Sequence, residues 1–170
     1  PILLEQLADA DVRNHFDMYV EERLTLIEAD LARFESEGSA HLAYLARYYR
    51  DWYANIRDSF RSRYGRDIVG AFGRLQQTGN LEIITSAATH AYLPLLSRDS
   101  SIYGELSTGA GSYWRHFQTA PRGIWLPEAG YRPPFIEGER YRPGIEEFLA
   151  DLNLRYFITD THAIQGGRMV

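Results

Sequence analysis

The 170 residues are 45% hydrophobic and 14% aromatic, enough to bury a sizeable core and too apolar for a disordered chain. A formal charge of −5, with the basic residues, all arginine, scattered along the chain, offers no basic stripe for a row of phosphates, so nucleic acid is not an expected partner. The absence of cysteine excludes a disulfide framework, a thiolate zinc site and a cysteine nucleophile, and it fits a cytoplasmic setting.

No apolar run approaches the ~18 residues of a spanning helix, and the first residues resemble no signal peptide, so no membrane partner is expected. Pro1 to Leu7 opens within an apolar segment, and Gln165 to Val170 reads as the entry to a loop. The chain is therefore expected to be an excerpt whose partner is the remainder of the same polypeptide. From Asn14 to about Glu35 the residues Phe16, Val20, Leu24, Ile27, Leu31 and Phe34 recur at three- or four-residue steps, which predicts a long amphipathic helix. Ser39 is placed to cap a second helix, with Leu42, Leu45, Tyr49, Trp52, Tyr53, Ile56 and Phe60 on one stripe, ending at Gly65. The pair predicts an αα-hairpin, and its aromatic stripe is assigned to packing.

A short helix is expected around Asp67 to Gln77, and from Thr78 the character changes. Leu81 to Thr85 is a short, mostly apolar run of the kind found in buried parallel strands. A helix is predicted from Ser100 to Phe117, a second strand from Gly123 to Pro127, another helix opening at Pro143, and a third strand from Arg155 to Asp160. Strands alternating with helices predict an α/β fold with a parallel sheet.

In such folds ligands bind beyond the carboxyl ends of the strands, so the segments following each strand are the candidate site. The first carries His90, the second Glu128 and Tyr131, and the third Asp160 and His162, and all three are expected to converge at one end of the sheet. Glu128 precedes Ala129 and Gly130, small residues that leave a ligand room to reach the carboxylate. It reads either as a nucleophile or as the structural partner of Arg122 or Arg132. His90 reads as a catalytic residue or as an ordinary hydrogen-bonding one, while Asp160 and His162 could bind a metal or a polyol, or Asp160 could cap the next element. Glu82, at the start of its strand, reads as structural. No phosphate-binding glycine pattern, HExxH or GxSxG is present.

At these same places the sequence resembles glycoside hydrolase family 57, whose members include α-glucan branching enzymes, 4-α-glucanotransferases and amylases. Gly79 to Thr85 running into Thr89-His90-Ala91-Tyr92-Leu93-Pro94 is similar to the family's second conserved region, and Gly123 to Tyr131 to its third. The resemblance implies part of an incomplete, seven-stranded (β/α) barrel whose first and last portions lie outside these residues, with residues 14–65 a helical insertion. It implies a retaining reaction through a covalent glycosyl-enzyme at Glu128, without cofactor or metal, on an α-glucan such as amylose or glycogen. His90, Trp125, Tyr131, Asp160 and His162 are then expected to contact substrate, although Trp125, a strand aromatic, also reads as core. The acid/base Asp is expected beyond Val170, so these residues are not expected to be active alone. Branching is the leading expectation, ahead of amylase or glucanotransferase activity, a polysaccharide deacetylase, or a non-catalytic carbohydrate-binding module.

Overall fold

The computed structural model describes residues 1–160. They divide into two compact units, one of residues 6–71 and one of residues 1–5 together with those from 72 onward. In chain order the helices are α1 (Ile2–Ala8), α2 (Ala10–Ser36), α3 (Ala40–Asp58), α4 (Ile68–Gln77), α5 (Asp99–Phe117) and α6 (Ile145–Asp151). The strands are β1 (Gly123–Trp125), β2 (Phe135–Glu137), β3 (Arg140–Arg142) and β4 (Tyr156–Ile158).

The unit of residues 6–71 is the predicted hairpin. Asp9 starts α2 four residues before the expected Asn14 region by accepting from the Val12 amide at 2.9 Å, which satisfies one of the orphan donors of a helix start. Ser39 holds the N-cap position of α3 without a side-chain hydrogen bond, and a single π turn over Ser59–Arg63 carries the chain on towards Gly65. The helices run antiparallel. The pairs Glu35–Arg47, Glu28–Arg50, Glu21–Arg57 and Asp17–Arg61 descend one helix as they ascend the other. Leu31, Ala43 and Ala46 are buried between them, and Phe16 meets the buried Phe60 edge to face at 4.9 Å. The aromatic stripe is only partly packed, in contrast to expectation. Phe60 is buried, but Leu42, Tyr49 and Trp52 are each exposed by 43–49%. The small contact residues Ala43 and Ala46 form the seam, so the larger side chains flank it.

The other unit holds the sheet. β1 and β4 pair in parallel, Ile124 opposite Phe157, and Thr85 bridges Ile124 in parallel on the other side. Of the expected strand Leu81 to Thr85 only that bridge forms. Its neighbour Ile83 instead gives its N–H to the Gln76 side chain at 2.8 Å, outside any ladder. An antiparallel hairpin, β2 with β3, was not foreseen. Gly138, at φ +63, turns it at a position that favours glycine.

α5 and α6 bury Ile102, Leu106, Ile145, Phe148 and Leu149 with Ala87, Leu93, Ile124, Leu126 and Leu154 in one apolar core. Burying this surface is the main favourable term of folding. Arg142 is buried at the edge of that core because every end of its guanidinium has a partner. Nε donates to Asp99 at 2.9 Å, Nη1 to Glu137 at 2.8 Å and Nη2 to the Ser97 carbonyl at 2.7 Å. These contacts tie the hairpin to the start of α5. No helix among the described residues is long and apolar enough to cross a membrane.

Candidate active site

Because Thr85, β1 and β4 run in one direction, the residues following each emerge at the same end of the sheet. His90 and Glu128 meet there, with imidazole Nε2 3.6 Å from a carboxylate oxygen. Both side chains are open to solvent, 50% and 73% exposed, and thus accessible to a ligand.

The backbone beneath them is unusual. Among the described residues six non-glycine positions have positive φ, and three of these, Arg66, Gln118 and Asn153, follow helix ends, where a left-handed residue commonly terminates the helix. The other three are His90 (φ +62), Glu128 (+52) and Ala129 (+53). The Gly130 amide donates to the Pro127 carbonyl at 3.0 Å across Glu128 and Ala129. Two consecutive positive φ values inside such a bond have the sign pattern of a type I′ turn, normally filled by Asn and Gly. Strained non-glycine positions of this kind cost about 1–3 kcal/mol each and cluster at functional sites.

Neighbouring strands hold the turn. The Thr159 hydroxyl, just past β4, donates to the Ala129 carbonyl at 2.6 Å, and the Ser86 hydroxyl donates to the Trp125 carbonyl at 3.0 Å. Neither arginine that might have claimed Glu128 does so among the described contacts. Arg122 reaches Glu82 at 3.5 Å, and Arg132 donates to the Pro143 carbonyl at 2.9 Å. Glu82 also accepts from the Tyr156 hydroxyl at 2.7 Å, which fits its structural reading.

The remaining candidates separate. Trp125, the last residue of β1, is 46% exposed rather than in the core. Tyr131 stacks on Phe157 at 5.5 Å and gives its hydroxyl to Glu146 at 2.9 Å. Burial, with the Glu146 carboxylate beside it, pushes its phenol up to about 12. Asp160 lies exposed two residues beyond β4, and His162 is outside the described residues. No group of three or more His, Cys, Asp or Glu suited to a metal occurs among the described residues.

One residue was missed. Tyr92 fills the space that Gly130 was expected to leave for a ligand, since a Cβ on Gly130 would lie 2.4 Å from its ring. Tyr92 remains 43% exposed at the rim. Its sequence signal was its place two residues after His90, within the Thr89–Pro94 stretch that resembles a conserved region of the family.

Close backbone approach explains a second glycine. A Cβ on Gly109 of α5 would lie 2.1 Å from the Ser86 carbonyl oxygen, whereas one on Gly111 would meet nothing within 4 Å. Gly→Ala in a helix ordinarily stabilises by about 0.5–1 kcal/mol, and overpacking costs about 1–3 kcal/mol. Denaturant unfolding should thus show Gly111→Ala more stable than the parent and Gly109→Ala less stable.

A parallel α/β unit with an exposed carboxylate and an imidazole beyond its strands belongs to the class whose ligand sites lie at that edge. Comparison with known proteins supplies the family. The model of glycosyl hydrolase family 57 matches residues 3–168, and the chain belongs to that family. It is 41% identical to a 1,4-alpha-glucan branching enzyme of Thermococcus kodakarensis, over 98% of this chain and 25% of that protein. The crystal structure of a family 57-type branching enzyme from Pyrococcus horikoshii superposes with a TM-score of 0.89 at 39% identity, over 98% of this chain and 32% of that one. That of an alpha-amylase from Thermotoga maritima gives 0.77 at 31% identity, over 95% and 29%. The chain thus spans a quarter to a third of the length of these relatives.

Proposed function

We propose that these residues are the N-terminal part of the catalytic domain of a retaining 1,4-alpha-glucan branching enzyme, with Glu128 as nucleophile. The observation that carries the reading is the exposed Glu128 carboxylate, raised on a strained turn beyond β1 with His90 3.6 Å away, in a chain of family 57. The same reading takes the sheet as one side of an incomplete (β/α)7 barrel and residues 14–65 as a helical insertion in it. The remainder of the polypeptide then supplies the missing strands and the acid/base residue. A cytoplasmic setting accords with the lack of cysteine.

In the first step a Glu128 oxygen bonds to the anomeric carbon of an α-1,4-linked glucose as the bond to the leaving oxygen breaks. That oxygen takes its proton from the second carboxyl group, which retaining enzymes hold roughly 5–5.5 Å from the nucleophile. The 6-hydroxyl of another glucan chain then attacks the same carbon. It gives its proton to that second group, now a base, and releases the Glu128 carboxylate.

His90, adjacent to Glu128, donates a hydrogen bond to a sugar hydroxyl near the cleaved bond. Trp125 offers a stacking face, and Asp160 and His162 bind sugar hydroxyls. Tyr131 has one ring face on Phe157 and its hydroxyl on Glu146, so its contribution to sugar contact is limited to what these two contacts leave open.

Branching is favoured over hydrolysis by the 39% identity to a branching enzyme of known structure, against 31% to an alpha-amylase of known structure. The whole enzyme incubated with amylose should form α-1,6 linkages, counted after debranching, with little gain in reducing ends. Steady release of reducing ends without new branches would identify an amylase. Redistributed chain lengths with neither would identify a 4-α-glucanotransferase.

A further inference from the structure

We propose that Glu105, on α5, is a positioning residue that sets the orientation of His90, and that the role rests on the reading of His90 and Glu128 as the reacting edge. Its carboxylate is a two-pronged acceptor for the residue immediately before His90. The Thr89 amide donates to one oxygen at 2.8 Å and the Thr89 hydroxyl to the other at 2.7 Å. The Glu105 backbone carbonyl also accepts the Ala88 amide at 3.0 Å. One helical turn further on, the Gly109 carbonyl accepts the Thr85 hydroxyl at 3.0 Å, and its missing side chain admits the Ser86 carbonyl.

Two positions of α5 therefore grip every residue from Thr85 to Thr89 except Ala87, which is itself buried in the core. The chain leaves this grip at His90, at φ +62, a backbone state that L residues rarely adopt. With Thr89 fixed at both its N–H and its hydroxyl, the point and direction from which the His90 side chain leaves the backbone are set. A solvent-exposed histidine 3.6 Å from Glu128 has few contacts of its own to hold it, so the grip on Thr89 does so.

The chemistry supplies a conservative variant. In Glu105→Gln the amide oxygen can accept from the Thr89 N–H while its NH₂ donates to the Thr89 hydroxyl, which turns round to accept. Glu105→Ala loses both bonds.

The test is a double-mutant cycle in the whole enzyme on amylose, using Glu105→Ala, His90→Ala and the pair, with Glu105→Gln and Glu128→Gln beside them. Circular dichroism and a thermal midpoint establish the folded fraction of each. Displacing a substrate-contacting group by about 1 Å costs up to ~100-fold, so Glu105→Ala should lower kcat/KM per folded molecule by roughly 10- to 100-fold. Glu105→Gln should stay close to the parent. In the His90→Ala background Glu105→Ala should add nothing beyond the factor of about two that separates independent sites. If Glu105→Ala does not fold, Thr89→Val replaces it in the cycle and should show the same dependence on His90.

Full multiplication of the Glu105 and His90 effects would overturn the proposal, as would a lowered midpoint with unchanged kcat/KM. Unimpaired turnover in both His90→Ala and Glu128→Gln would instead remove the underlying site reading, and the positioning role with it.

Discussion

Glu128→Gln in the whole enzyme should reduce turnover on amylose by roughly 10³-fold or more, the scale of losing a member of a catalytic unit. The substitution keeps the shape of the side chain and removes the negative charge that the proposed nucleophile needs to attack the anomeric carbon. Stability should change little, because the carboxylate is 73% exposed and its contact with His90, at 3.6 Å, is an exposed pair of small worth. A structural partner would behave in the opposite way, with lost stability and persisting activity per folded molecule. In Glu128→Ala, azide should restore part of the turnover by occupying the vacated position and attacking the same carbon. Branching at the parent rate by a folded Glu128→Gln enzyme would end the nucleophile assignment.

Leu126→Ala should lower stability by about 2–5 kcal/mol, the range for removing a fully buried leucine side chain. Leu126 has no exposed surface and lies in the core built by α5, α6 and β1. Those contacts are complete within this unit, so chain lying elsewhere cannot compensate for them. The expected signature is a lower denaturant midpoint with an unchanged slope. Leu126→Met conserves volume and should cost less than about 1.5 kcal/mol. Leu126 also leads into the Glu128 turn, where its carbonyl accepts the Ala129 amide at 2.8 Å. Folded Leu126→Ala enzyme should nevertheless retain much of its activity, since that bond is made by the backbone. A cost below about 1 kcal/mol would place the core somewhere other than beneath the turn.

Much of the architecture was legible because secondary structure follows local periodicity. The three- and four-residue spacing of Phe16 to Phe34 and the apolar run at Gly123 identified α2 and β1 to within a few residues. The β2–β3 hairpin escaped notice because its strands are three residues each, too short to show an alternating pattern, and Arg140 and Arg142 make β3 mostly charged. The stretch from Leu81 to Thr85 has strand composition, yet pairing needs a partner, and only Thr85 has one. Composition reports what a segment prefers, and a ladder requires what another segment supplies.

By itself the sequence determined the helical hairpin, the succession α5, β1, α6 and β4, the three segments that carry the candidate residues, and the family to which its motifs belong. Those features depend on neighbours a few positions apart. Tertiary structure alone decided that His90 meets Glu128, that Tyr92 rather than a ligand fills the space at Gly130, that Trp125 faces outward and that Arg142 is buried. Each of these depends on which distant residues arrive, or fail to arrive, beside the side chain. Arginine is exposed unless Asp99, Glu137 and a carbonyl converge on it, and a glutamate or histidine takes a left-handed backbone only where neighbouring strands and α5 hold the turn beneath it.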